Sequence, residues 1–149
     1  MSKDDVRNEY DAYYRKKPEK WTSNTRDEFT RVKIEEYWEV GYPKTFLDIG
    51  CGNGHTIAYL KQYWKKTAFY GFDLSPVAID VARAKLPDVD LRAGFLDEMS
   101  YPLKFDCICL LGVAEHFLDL RESFGQVREL LSDTGVIYME SPNCLAYEN

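Results

Sequence analysis

One stretch, residues 46–60 (FLDIGCGNGHTIAYL), limits what this chain can fold into more than any other. Thr45, Phe46, Leu47 and Ile49 form a short apolar run, as a parallel strand does when helices cover both of its faces. Gly50, Gly52 and Gly54 then alternate with Cys51 and Asn53. That spacing suits a bend that needs positive φ, or a place where a ligand lies against bare backbone. From His55 to Lys65 the apolar residues Ile57, Leu60 and Trp64 recur at helical intervals. The helix N-terminus therefore opens onto the bend, where free N–H groups favour a polar or anionic ligand.

Two acids sharpen this reading. Asp48 lies inside the first strand, where a dinucleotide fingerprint would carry an apolar residue, and the glycines follow GxGxG, with His55 at the place of the third glycine of GxGxxG. Phe69 to Asp73 reads as a second buried strand ending in a carboxylate. Its distance from the glycines, about twenty residues, suits an acid that reaches ribose hydroxyls.

The rest of the chain alternates in the same way. Ser2 with Asp5 forms a capping box for a first helix, with Val6, Tyr10, Tyr13 and Tyr14 on one face and Pro18 ending it. Thr25 with Glu28 forms a second box, for a helix through Phe29, Val32 and Trp38 that closes near Gly41 and Pro43; Trp21 lies in the loop between the two helices. Ser75 and Pro76 cap a helix running to Lys85. Val89–Ala93 is a third strand and Phe105–Leu111 a fourth. A helix follows through Phe117, Leu120, Phe124, Val127 and Leu131, then a turn at Asp133–Gly135 and a fifth strand at Val136–Met139. The expected architecture is α/β, a doubly wound parallel sheet of five strands with helices on both faces. Residues 1–43 form an N-terminal helical cap, and residues 44–149 the ligand-binding domain.

Four ordered motifs, LDIGCGNG, GFDLSPVAIDVAR, FDCICLLGVAEHFLD and LLSDTGVIYMESPN, resemble those of the Rossmann-like (class I) S-adenosylmethionine (SAM)-dependent methyltransferases. The likeness runs from about residue 44 to 143 and is greatest to the group that includes quinone-biosynthesis and small-molecule O-methyltransferases. It implies SAM as cofactor, S-adenosylhomocysteine (SAH) as product and a small-molecule acceptor, with oxygen as the receiving atom. It also implies roles. Asp48 meets the methionine ammonium, with Gly50, Cys51, Gly52 and Asn53 beside it. Asp73 accepts the ribose hydroxyls, because an ionised carboxylate takes two donors. Leu74, Phe95 and Leu96 line the adenine, although relatives often place an acid where Phe95 stands and Asp97 is the nearest one here. Gly112 and Val113 flank the sulfonium, and Tyr14 and Trp21 fold over the cofactor. His116 of the Glu115-His116 pair can serve as a base or merely orient the next helix.

In relatives the sheet continues with a sixth and a seventh strand. This chain ends soon after the fifth, so it is either a shortened piece or a minimal version. The fifth-strand edge is expected to be covered, by a second copy in a homodimer, another partner or the C-terminal tail.

Composition narrows the function classes. A net charge of −6 argues against binding along a nucleic-acid backbone. No apolar run approaches the roughly 18 residues of a membrane helix, and no signal-peptide core opens the chain, so a cytoplasmic location is expected. Cys51, Cys107, Cys109 and Cys144 lack paired metal-ligand spacing, and no metal site is expected. Two other functions remain open. One is a SAM- or SAH-binding module without turnover. The other is a nicotinamide-dependent oxidoreductase, which Asp48 and the GxGxG spacing disfavour.

Overall fold

The computed structural model describes residues 1–19, 22–38 and 41–143. Two helices come first, α1 (Lys3–Lys16) and α2 (Asn24–Tyr37). Then follow β1 (Thr45–Ile49), α3 (His55–Leu60), β2 (Ala68–Asp73), α4 (Pro76–Lys85), β3 (Asp90–Ala93), β4 (Phe105–Leu111), α5 (Leu120–Leu130) and β5 (Leu131–Glu140). The strands form one sheet in the order β3-β2-β1-β4-β5, and every pairing is parallel. The doubly wound sheet read from the sequence is the fold observed. Among the described residues no helix is long and apolar enough to cross a membrane.

Alternation along the strands makes two cores. Phe46, Phe69, Cys107 and Cys109 face Ile34 of α2, Ile57 and Leu60 of α3, Trp64, and Ile79 and Ala82 of α4. Leu47, Ile49, Phe72, Ile108 and Leu110 face Val127 and Leu130 of α5. Phe105 belongs to the second core although Cys107 belongs to the first, because the β4–β5 register shifts between them. An irregularity of this kind sends residues two apart, which a regular strand would keep on one face, to opposite faces.

Four boundaries differ from the sequence reading. The α2 cap is Ser23, whose hydroxyl accepts from the Arg26 N–H at 3.2 Å, two residues before the expected Thr25. Helix α3 stops at Leu60 and continues only as turns, so Trp64 reaches the core from outside it. Helix α5 starts at Leu120 under the Asp119 cap, and a short 3₁₀ turn occupies Ala114–His116. Strand β5 reaches back to Leu131, which pairs with Phe105, while Val136 already pairs with Cys107. The expected Asp133–Gly135 turn is the bulge between those two pairings. The α1 capping box is as read: Ser2 and Asp5 exchange hydrogen bonds at 3.1 and 2.8 Å.

β5 is the sheet's last strand, and no strand pairs with its outer edge among the described residues. Ile137 and Met139 on it are exposed. Residues 144–149, the tail named above as one cover, lie outside the described residues, as does Cys144.

The two candidate caps of α2 can be told apart. Ser23→Ala is expected to lower stability by about 1 kcal/mol, and Thr25→Ala, at an exposed position, by clearly less. Urea denaturation monitored by circular dichroism checks this, and equal losses would contradict the Ser23 assignment.

Candidate functional site

The bend after β1 is built on glycines that other residues cannot replace. Gly50 and Gly52 have φ of 74° and 53°. A Cβ on Gly50 would lie 2.5 Å from Val113 Cγ2, and one on Gly52 would lie 2.7 Å from the Tyr14 hydroxyl. The backbone N–H groups here point inward. Those of Gly50 and Cys51 donate to the Phe72 carbonyl at 2.9 and 3.0 Å, and that of Gly52 donates to Asp73 Oδ2 at 2.9 Å. The bend therefore offers a ligand bare α-carbons and carbonyls rather than the free donors that the glycine spacing suggested. Asn53 uses its amide on the protein, donating to the Pro18 carbonyl at 2.6 Å and accepting from the His55 N–H at 3.1 Å. It braces the loop between α1 and α2 against the bend.

Asp48, at the inner end of the bend, is 3% exposed. Burial raises its pKa to about 8; Arg26 opposes the shift, and Asp27 and Asp73 add to it. No hydrogen bond reaches its carboxylate among the described residues. Arg26 comes from the first turn of α2. Its Nη2 lies 3.4 Å from Asp27 Oδ1 and 3.2 Å from Thr56 Oγ1, while its Nε is buried without a partner. Asp27 is fully buried and also accepts from Thr56 at 2.8 Å and contacts His55 Nδ1 at 2.7 Å. This fastens α2 to the start of α3. A buried carboxylate and a buried guanidinium nitrogen, both lacking hydrogen bonds, thus share one electrostatic neighbourhood, and such groups are costly unless something pairs with them.

Asp73, at the end of β2, is also buried. Oδ1 accepts from the Ser75 N–H and Oδ2 from Gly52, each at 2.9 Å. A carboxylate has about four acceptor positions, so capacity remains for two more donors. Burial raises its pKa, the two backbone donors oppose that, and Asp11 adds to it. Asp11, from α1, accepts from the Ser75 hydroxyl and, at 3.4 Å, from the Val77 N–H. Tyr14, one turn further along α1, is buried over Gly52; burial and then Asp73 push its hydroxyl pKa up.

Leu74, Phe95 and Leu96 lie beyond Asp73. Arg7 Nε donates to the Leu74 carbonyl at 3.3 Å, and the Phe95 ring has Lys3 Nζ at 4.9 Å and Arg7 Cζ at 5.2 Å from its centroid. Leu96 packs on the α5-side core. Asp97 pairs with Lys3 at 2.6 Å. On the β4 side, Gly112 (φ 64°) donates its N–H to the Glu140 carbonyl at 2.9 Å, and Val113 fills the space above Gly50. His116 is exposed and meets Tyr10 edge-on, centroids 6.3 Å apart. Trp21 lies outside the described residues, and no metal-holding group of His, Cys, Asp or Glu occurs among the described ones.

The sheet tips thus bring together Asp48, the glycine bend, Asp73, Leu74, Phe95, Gly112 and Val113, with Tyr14 above them. Sequence reasoning missed Arg26, Asp11, Arg7 and Tyr10. The α1 residues Lys3, Arg7, Tyr10, Asp11 and Tyr14 follow a helical stripe, a signal visible once polar residues are allowed on the inner face. Nothing local marks Arg26.

Comparison with known proteins gives one family. A model described as "Methyltransferase domain" matches residues 47–137. Trans-aconitate 2-methyltransferase of Escherichia coli O1:K1 / APEC is 34% identical over 101 residues, which are 64% of this chain and 38% of that protein. The chain therefore spans well under half the length of the curated relatives it matches. Among solved structures, the plantazolicin methyltransferase BpumL, in complex with a pentazolic desmethylPZN analogue and SAH, has a TM-score of 0.74 at 23% identity, covering 93% of this chain and 54% of that one. CalS10, a SAM-bound amino pentose methyltransferase from Micromonospora echinaspora, has a TM-score of 0.71 at 22% identity, covering 90% and 56%. At these identities the structures support the fold.

The raised pKa of Asp48 has a defined sign. Below the carboxyl's unfolded pKa of 3.8 its contribution is fully present, and it is lost as pH rises toward the folded value near 8. Asp48→Asn, which cannot ionise, is expected to gain stability relative to the ligand-free parent by on the order of 1 kcal/mol per pH unit as pH rises from 5 toward 8, and to gain no more above that. Thermal melts of both proteins across that range measure it; a constant difference would show that Asp48 ionises normally.

Proposed function

This chain belongs to the methyltransferase-domain family, and we propose that it transfers a methyl group from SAM to a small-molecule acceptor, at oxygen. The carrying observation is the unpaired Asp48 carboxylate within the field of Arg26, whose buried Nε is also unpaired. An α-amino acid end carries one ammonium and one carboxylate, the complements of those two groups. Asp48 takes the ammonium, Arg26 Nε donates to the carboxylate, and the free acceptor positions of Asp73 receive ribose hydroxyls. Leu74, Phe95 and Leu96 line the base, and Gly112 and Val113 border the sulfonium. A cleft with this set of groups fits SAM and SAH.

Bound there, SAM supplies a methyl group already activated by its sulfonium. The protein's own contribution is therefore alignment and the exclusion of water. Tyr14 and Tyr10 close the cleft from α1, and the glycine bend lets the ligand approach the backbone. His116, beside Tyr10 at the cleft mouth, takes the proton from an acceptor hydroxyl. The relatives' names give acceptors as different as aconitate and an amino pentose, so likeness alone carries no acceptor over to this chain. A second reading is SAM or SAH binding without turnover, since binding to this cleft requires none of its groups to take part in a reaction.

Calorimetric titration with SAH and, separately, with NADH tests the cofactor. SAH is expected to bind and NADH not to; the reverse would end the methyltransferase reading. At pH 7 SAH binding is expected to release a proton, because an ammonium beside Asp48 favours the ionised form, and this shows as a dependence of the measured heat on the buffer. Asp73→Ala and Arg26→Gln are each expected to weaken SAH binding by about 1–3 kcal/mol, the cost of a buried polar group left unpaired. Methyl release to an acceptor panel then separates enzyme from binding module.

A further inference from the structure

Strand β5 ends in a carboxylate that neither the fold nor the cofactor cleft accounts for. In the parallel register Asp48, Cys109 and Tyr138 stand in one row across β1, β4 and β5. Glu140 is the next residue of β5 on the same face, toward the carboxyl ends, paired with Leu111. Its backbone carbonyl accepts from the Gly112 N–H, so it stands immediately beside the β4 exit loop. One oxygen of its side chain, Oε1, accepts from the Tyr138 hydroxyl at 2.6 Å and from the Thr30 hydroxyl at 3.3 Å. Thr30 comes from α2 and is fully buried. Two hydroxyls on two different elements thus fix this carboxylate, while Oε2 has no hydrogen bond among the described residues.

The surrounding charge is lopsided. No Lys, Arg or His lies within ion-pair distance of Glu140 among the described residues, whose twelve ion pairs all lie elsewhere. Arg26, the cation reaching this face of the sheet, is already shared between Asp27 and Asp48. A second carboxylate brought here would meet Glu140 without a counter-charge, and such placements discriminate strongly between partners. A protonated amine would find an oriented, unpaired oxygen, and a charge-assisted hydrogen bond is among the stronger ones.

We propose that Glu140, held by Tyr138 and Thr30, is the specificity residue of the acceptor subsite and selects an acceptor carrying a protonated amine over one carrying a carboxylate. This rests on the methyltransferase reading above, which puts the acceptor beyond Gly112. It assigns the charged group by which the acceptor is recognised and leaves the methylated atom to that reading.

The test uses two adenosyl analogues in which nitrogen replaces the sulfonium sulfur. One carries an aminoethyl arm and the other a carboxymethyl arm, so each places its charge where the acceptor would lie. SAH, which has no arm, reports on the cofactor cleft alone. Calorimetry on the whole chain is expected to show the aminoethyl analogue binding about tenfold tighter than the carboxymethyl one. Glu140→Gln is expected to remove most of that preference, and Glu140→Asp to restore part of it. Equal binding of the two analogues by the parent protein overturns the proposal without any variant, and so does an undiminished preference in Glu140→Gln. A Glu140→Gln loss that is the same for SAH as for both analogues would show a merely structural residue and also overturns it. Failure of SAH to bind the parent overturns the methyltransferase reading and this inference with it. SAH binding with no preference between the arms overturns this inference alone.

Discussion

The tie between the end of β1 and the end of β2 is the constraint on which the site depends. Three successive N–H groups, of Gly50, Cys51 and Gly52, are all taken by β2: two by the Phe72 carbonyl and one by Asp73. A bend this tight needs positive φ, which glycine reaches without cost. It also needs an empty space where side chains would be, and Val113 and Tyr14 occupy that space from opposite sides. Asp73 is therefore both a clasp for the bend and a ligand candidate, and its backbone partners hold it in place before any ligand arrives.

The second organising feature is charge out of water. Asp11, Asp27, Asp48 and Asp73 are all at least nine-tenths buried. Three of them are compensated by hydrogen bonds. Asp27 faces Thr56 and His55, Asp11 faces Ser75, and Asp73 faces two backbone donors. Asp48 is compensated only by the field of Arg26, opposed by its acidic neighbours. That difference marks Asp48 as the acid whose burial the fold leaves without a hydrogen bond. Buried polar groups are normally satisfied, and Asp48 departs from that rule, as the Arg26 Nε in its field also does, where the two halves of the sheet part between β1 and β4.

The sheet was legible because its signals are local. The apolar runs, Ser75-Pro76 and the Ser2–Asp5 box each act within a few residues, and each element exists where they place it. Boundaries were less legible where tertiary contacts decide. Thr25 and Ser23 are both able caps, and Ser23 is the one whose hydroxyl meets the Arg26 N–H while Asp27 docks on His55 and Thr56. The β4–β5 register shift cannot be read from alternation, because Phe105 and Cys107 are equally apolar. On the site, Asp48 and Asp73 stand out in sequence because they adjoin the glycines. Arg26 and Asp11 do not, since they reach the cleft only after both N-terminal helices have packed across strands encoded later in the chain.

Helix α1 shows what such packing implies for assembly. Its stripe rests on Gly52, on Leu74 and Ser75, and on Phe95 and Asp97, and the Lys3–Asp97 contact spans ninety-four positions of sequence. Every partner in that stripe lies later in the chain than α1, so none of these contacts is local and each closes a long loop. Its hold on the sheet tips is made wholly of long-range contacts, the kind whose closure entropy must be met before they stabilise anything.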